Sequence, residues 1–186
     1  MTPEAAESLL ESAVCVAGTE KIERALSDMA MAISNRLEKS NPVILPVMTG
    51  ALIFAGHLLP KLTFPLEIDY LQANRYGQNM TGGRVHWRIE PRIDLHGRSV
   101  LILDDILDKG ITLEAVCKKM VSYGASEVLT AVFVNKRLAA SRSMKADFIG
   151  LELPDRFLFG FGLDIYGYWR NLPCIYAIPE NKYKDF

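Results

Sequence analysis

Residues Ser99 to Gly124 read SVLILDDILDKGITLEAVCKKMVSYG, the pattern of a strand, an acidic loop and a helix. Val100, Leu101, Ile102 and Leu103 form a short unbroken apolar run, as expected of a strand buried on both faces of a mainly parallel sheet. Asp104 and Asp105 stand where that strand is expected to end, and Asp108 follows in the loop. Gly110 comes next, then Thr112, which the spacing predicts as the helix N-cap. From Leu113 the period becomes helical, with Val116, Met120 and Tyr123 on one side and Gly124 as the C-terminal stop.

This order places an anion site beside a set of acids. Bare N–H groups at Lys109, Gly110, Ile111 and Thr112, backed by the helix dipole, suit a phosphate, and the Thr112 hydroxyl adds a further donor. Asp104 and Asp105 would face whatever lies above the strand's C-terminal edge, where ligands sit in open α/β sheets. Paired carboxylates there suit ribose hydroxyls, directly or through Mg²⁺. A sugar phosphate satisfies both halves. The competing reading is an ordinary βα loop with solvated acids. Neither G-x-x-x-x-G-K-[ST] nor G-x-G-x-x-G follows the strand, so the familiar nucleotide loops do not apply.

Outward from this stretch, 186 residues at 49% hydrophobic and 23% charged describe one soluble domain able to bury a substantial core. A net charge of -1 argues against a general nucleic-acid binder, whose footprint would be basic. Cys15, Cys117 and Cys174 are widely spaced, which implies neither a disulfide framework nor a C-x-x-C metal site, and a reduced cytoplasmic setting is the default expectation. The N-terminus shows no secretory pattern. A first helix is expected over Pro3 to Val16 and a second over Thr19 to Leu37, where Ile22, Leu26, Met29, Ile33 and Leu37 make a helical stripe. The apolar run Val43 to Leu59 approaches the length of a membrane span, but Pro46, Thr49-Gly50 and His57 interrupt it. A strand over Val43 to Val47, a turn at Met48 to Ala51 and a helix over Leu52 to Leu59 fit better, and the turn again sets N–H groups at a helix start. Leu66 to Leu71 alternates as a strand. A long polar loop follows over Gln72 to Gly83, and Val85 to Ile89 pairs back as an antiparallel ribbon. Further strands are expected over Val128 to Val134, with Lys136 just beyond, over Phe148 to Leu153 and over Cys174 to Ile178.

The segment VLILDDILDKGIT resembles the phosphoribosyl diphosphate (PRPP) motif of type I phosphoribosyltransferases, in the form found in the hypoxanthine-guanine enzymes. The resemblance covers roughly Pro42 to Tyr176. It implies a single α/β domain over 1–186, with a central, mainly parallel sheet, flanking helices and a small hood. N-terminal helices would occupy 1–40, and 154–173 would form part of the hood and base site. It implies transfer of the phosphoribosyl group of PRPP to N9 of hypoxanthine or guanine, giving IMP or GMP and pyrophosphate in purine salvage. Asp104 and Asp105 would then hold the ribose hydroxyls, and Asp108 would act near purine N7 as general base or proton partner. Asp108 to Thr112 would take the 5′-phosphate, while Thr49, Gly50 and Arg170 would take pyrophosphate. Lys136 would donate to the base O6, Phe157 would stack on the ring, and Leu158 would meet the base edge through its backbone. Asp164 joins the base site as an acid near metal and pyrophosphate, so that Asp104, Asp105 and Asp164 would serve Mg²⁺ directly or through ribose hydroxyls or water. Tyr76 would close a lid against hydrolysis. The chain departs from the family pattern at Thr49, where many relatives carry lysine, and at Arg75, where they carry serine. A homodimer or homotetramer is implied, with neither nucleic acid nor membrane as partner. Two alternatives of the same fold remain: a PRPP-sensing regulator, and an enzyme acting on xanthine or a pyrimidine.

Overall fold

A computed structural model describes residues 1–75, 85–138, 142 and 144–179. Its centre is a five-stranded parallel sheet in the order β3-β2-β6-β7-β8, made of Glu67–Ile68, Val43–Pro46, Ser99–Leu107, Glu127–Arg137 and Phe148–Pro154 respectively. Within β6 the side chains alternate between two cores. Leu101 and Leu103 pack with α2 (Thr19–Leu37) and α3 (Ala51–Leu58), while Val100 and Ile102 pack with Leu113, Val116 and Met120 of α4 (Ile111–Ser122). An apolar run with no polar interruption is what burial on both faces demands. The α2 stripe is buried in full, and its residues Ile22, Leu26, Met29, Ile33 and Leu37 close one face of the sheet.

The predicted elements are present, with shifted ends. Helix α1 (Pro3–Ser12) starts at the Thr2 cap, whose Oγ1 accepts from the Ala5 N–H, and stops short of Val16. The chain turns extended at Ala13 and becomes β1 (Val14–Ala17), antiparallel to β10 (Ile175–Ala177), so residues 1–40 are not purely helical. Pairing outweighs helical continuation over VCVA, where β-branched side chains favour a strand. β10 is shorter than predicted and also pairs with β9 (Leu158–Phe159), giving a second, three-stranded sheet.

In the first crossover β2 stops at Pro46, α3 begins at Ala51, and a 3-10 turn at Leu59–Lys61 follows it. The predicted strand Leu66 to Leu71 is reduced to β3 plus an isolated bridge from Leu71 to Val47. The predicted loop begins later than expected, because Gln72–Arg75 is a strand, β4, antiparallel to β5 (Val85–Ile89). Tyr76, which the resemblance assigns to a lid, lies outside the described residues. No helix among the described residues is long and apolar enough to cross a membrane.

Two corrections bear directly on chemistry. β6 continues to Leu107 because β7 pairs with it throughout, so Asp104 and Asp105 lie inside the strand rather than beyond it. The β2 ladder ends at Leu103, opposite Pro46, so from Asp104 onward β6 has a strand on one side only. Likewise β7 runs to Arg137 and includes Lys136, which pairs with Leu153 of β8.

Candidate active site

The edge that β2 vacates is the wall of a cleft of about 570 Å³. It is lined by Asp104, Asp105 and Asp108, by Lys109 to Thr112, and by Thr49, Gly50, Asp164 and Arg170. A smaller hollow of about 220 Å³ adjoins it and shares Asp105, Asp108 and Asp164, adding Lys136, Phe157, Leu158 and Leu163. Every described residue that the sequence nominated therefore lines one of two adjoining depressions at the sheet's C-terminal edge, where the crossovers of a parallel sheet leave room for a ligand.

The anion end is built at the start of α4. Gly110, not Thr112, is the N-cap: its φ of 80° is left-handed, a conformation glycine takes without strain. The first intrahelical acceptor serves Glu114, whose N–H donates to Gly110 O at 2.9 Å. The N–H groups of Ile111, Thr112 and Leu113 thus lack intrahelical acceptors, and Thr112 sits within the first turn without capping it. The opposite end is closed by a Schellman arrangement, in which Gly124 at φ 85° lets Ala125 N–H reach Met120 O and Gly124 N–H reach Val121 O.

The turn after β2 forms the facing wall. Val47 N–H donates to Leu103 O at 2.9 Å and Met48 N–H to Leu71 O at 2.8 Å, so two neighbouring segments pin its entry. Gly50 then passes so close to β6 that a Cβ there would stand 2.2 Å from Asp105 Oδ2. From the C-terminal side Gly162, at φ 97°, presses on Gly50, and an added Cβ would sit 2.5 Å from its carbonyl oxygen. At Gly50 the requirement is space beside the Asp105 carboxylate, and at Gly162 it is space beside a backbone carbonyl together with a left-handed φ.

Asp104 and Asp105 are partly buried and interact. Burial raises the Asp105 carboxyl to about 6 against the pull of the nearby Arg170 guanidinium. Asp104 is pushed well above the ordinary carboxylate range, first by burial and then by the charge of Asp105. Arg170 holds the group together: Nη2 lies 2.6 Å from Asp164 Oδ1 and Nη1 3.6 Å from Asp105 Oδ2, while Nη1 donates to Gly162 O at 2.5 Å. The second oxygen of Asp164 accepts from Gly167 N–H at 2.7 Å. Among the described residues no three His, Cys, Asp or Glu side chains converge as a ready metal cage. The hard oxygen donors of Asp104, Asp105 and Asp164 nevertheless suit Mg²⁺, which takes one or two carboxylates and completes its shell with water and substrate oxygens.

In the hollow, the Lys136 side chain is only 15% exposed, and its ammonium lies 3.4 Å from Asp155 Oδ1. Phe157 is partly exposed at the rim and Leu158 is buried in β9. Two contributors escaped the sequence reading. Asp155 stands two residues before Phe157 in PDRF but carries no spacing signal of its own. Arg142 donates to Leu107 O at 3.1 Å and also to Asn135 Oδ1 and Lys136 O, tying the ends of β6 and β7 together. Nothing local in the sequence marks an arginine as a clamp between two strand ends.

Comparison with known proteins agrees with this architecture. The family model for the phosphoribosyl transferase domain matches residues 17–165. A hypoxanthine-guanine phosphoribosyltransferase of Aquifex aeolicus is 31% identical, covering 87% of this chain and 92% of its own. A hypoxanthine-guanine-xanthine phosphoribosyltransferase of Tritrichomonas foetus is 27% identical, covering 88% and 90%. Among solved structures, a hypoxanthine phosphoribosyltransferase of Staphylococcus aureus superposes with a TM-score of 0.85 over 91% of this chain and 93% of its own, at 22% identity.

Proposed function

Because the chain belongs to the phosphoribosyl transferase family, in its hypoxanthine-guanine group, we propose that it transfers the 5-phosphoribosyl group of PRPP to N9 of hypoxanthine or guanine, releasing pyrophosphate and giving IMP or GMP. The observation that carries this reading is the adjacency of the two depressions, which share lining residues. An amide-rich helix start and partly buried carboxylates line one, and a lysine and an aromatic ring line the other, with Asp105, Asp108 and Asp164 common to both.

The 5′-phosphate sits against the amides of Lys109 to Thr112, where the α4 dipole favours an anion. Asp104 and Asp105 orient the ribose hydroxyls. The reacting carbon passes through a positively charged, oxocarbenium-like state, as in other glycosyl transfers, so the chain's task is positioning and charge placement. Asp104, Asp105 or Asp164 would hold Mg²⁺, which would supply charge neutralisation for the departing pyrophosphate. Arg170 keeps Asp105 and Asp164 placed, and it lies within reach of the pyrophosphate end together with Thr49 and Gly50. On the base side Phe157 stacks on the purine and Leu158 meets its edge through the backbone. Lys136 donates to O6, and an ammonium that can only donate favours a 6-oxo over a 6-amino purine. Asp108 takes or shares the proton near N7. Tyr76 is assigned to the lid that excludes water.

The test is direct. Purified protein with PRPP, Mg²⁺ and, separately, hypoxanthine, guanine, xanthine, adenine and uracil is followed by nucleotide absorbance. Turnover of hypoxanthine or guanine, with none of adenine or uracil, is expected. Absence of product from every 6-oxopurine would overturn the proposal. Light scattering on the same preparation is expected to report a homodimer or homotetramer.

A further inference from the structure

Lys136, which lines the base hollow, is ion-paired to Asp155, an acid with no place in the scheme above. In the β7–β8 register Lys136 stands opposite Leu153. Its neighbours Asn135 and Arg137 both reach Glu152, while Lys136 lies on the side that lines the hollow. After β8 the chain folds back, with Arg156 N–H donating to Pro154 O at 2.8 Å, and this bend sets Asp155 over the end of the lysine. Two residues later comes Phe157, on the rim of the same hollow. One short bend therefore carries both the counter-ion of Lys136 and the ring beside it.

The Lys136 side chain is mostly buried, and Asp105, Asp108 and Asp164 line the hollow with it. An ammonium in such a place is drawn to whichever carboxylate is nearest. Were it to swing onto Asp108 or Asp164, it would remove a donor from the base edge and neutralise an acid assigned to the proton or the metal. Asp155, which is not part of that lining, offers the ammonium a partner apart from those acids. We propose that Asp155 is a positioning residue for base recognition, the counter-ion that holds the Lys136 ammonium at the base edge and away from the three acids. This inference rests on the phosphoribosyltransferase reading and assigns one further residue to it. Because the Asp155 side chain is 55% exposed, the pair contributes little to global stability, and its variants should fold.

The test is steady-state kinetics of Asp155→Ala, Asp155→Asn and Asp155→Glu with hypoxanthine and guanine as variable substrates, then with PRPP. In the Ala and Asn variants KM for the base is expected to rise about fivefold, the equivalent of about 1 kcal/mol, with kcat and KM for PRPP nearly unchanged. The Glu variant should recover most of the loss. In the Lys136→Ala background, Asp155→Ala should add nothing further, since the two act as one unit. An unchanged KM for the base would overturn the inference. So would an equal rise in both KM values, or full additivity with Lys136→Ala. A wild-type protein that converts no 6-oxopurine overturns the functional reading itself, whereas an active wild type with an unaffected Asp155→Ala variant overturns the assignment of Asp155 alone.

Discussion

At the scale of single residues, the site is a concentration of negative charge that folding tolerates for the sake of chemistry. Asp105 has its carboxyl raised to about 6, chiefly by burial. A group whose folded value lies above its unfolded one favours folding when protonated, and that contribution disappears as pH rises through the folded value. At pH 7.5 the ionised Asp105 is therefore a net cost. Asp105→Asn, measured without divalent cation, should raise Tm at pH 7.5 while depressing turnover, and the gain should shrink as pH falls through 6 toward 4. An unchanged or lowered Tm at pH 7.5 would show that the Arg170 contact outweighs burial. Asp108 differs in kind, because it lies in the loop and is shared by the two depressions. Asp108→Asn should leave calorimetric PRPP binding nearly intact and lower kcat by about 10²-fold, the lower end of what proton transfer by a positioned side chain contributes. Unaltered turnover would remove it from the proton path.

Among the elements, the decisive relation is the unequal length of three strands. β2 stops at Pro46 while β6 and β7 continue together to Leu107 and Asn135, and the resulting step is the cleft. The β4–β5 ribbon beside it is anchored by one carboxylate. Asp69 accepts from the N–H groups of Tyr70 at 2.8 Å, Arg92 at 2.6 Å and Ile93 at 3.1 Å, joining the approach to the ribbon with its exit. Burial opposes ionisation of Asp69, but these three donors outweigh it and hold the carboxyl below its usual range. For a lowered group the stabilisation is present above the unfolded value and lost as pH falls through the folded one. Asp69→Ala should therefore cost about 1 to 2 kcal/mol at pH 7 by urea denaturation, and the difference from wild type should fade below about pH 4. A difference that persists unchanged at pH 3 would assign the effect to packing instead.

On the scale of the whole molecule, segments far apart in the chain meet at the cleft. The turn after β2, the end of β6 and the stretch around Gly162 touch one another through Gly50 and Asp105. Gly162→Ala would require a side chain at φ 97° and 2.5 Å from Gly50 O, so the two walls must part. Thermal melting should show a loss of several degrees, the equivalent of about 1 to 3 kcal/mol for strain at a left-handed position, and KM for PRPP should rise more than KM for the base. A rise confined to the base would mean that Gly162 serves the hollow rather than the pyrophosphate wall.

The α2 stripe, the apolar run of β6 and the stop at Gly124 were legible in the amino-acid order, because periodicity and backbone preference act over a few residues. The nominated acids and the Lys136–Phe157 pair were legible too, as a string of unusual side chains in a matching order. How far β6 and β7 extend was not, since strand length is set by the neighbour that supplies hydrogen bonds. The exchange of Thr112 for Gly110 as cap depended on one left-handed φ, and the end of α1 depended on pairing with a strand from the far end of the chain. Local chemistry in the sequence nominated the residues that line the two depressions. Only tertiary structure decided that Asp155 balances Lys136, that Arg142 ties two strand ends, and that Gly50 must leave room for Asp105, because each of these is a contact between segments whose distance in sequence says nothing of their distance in space.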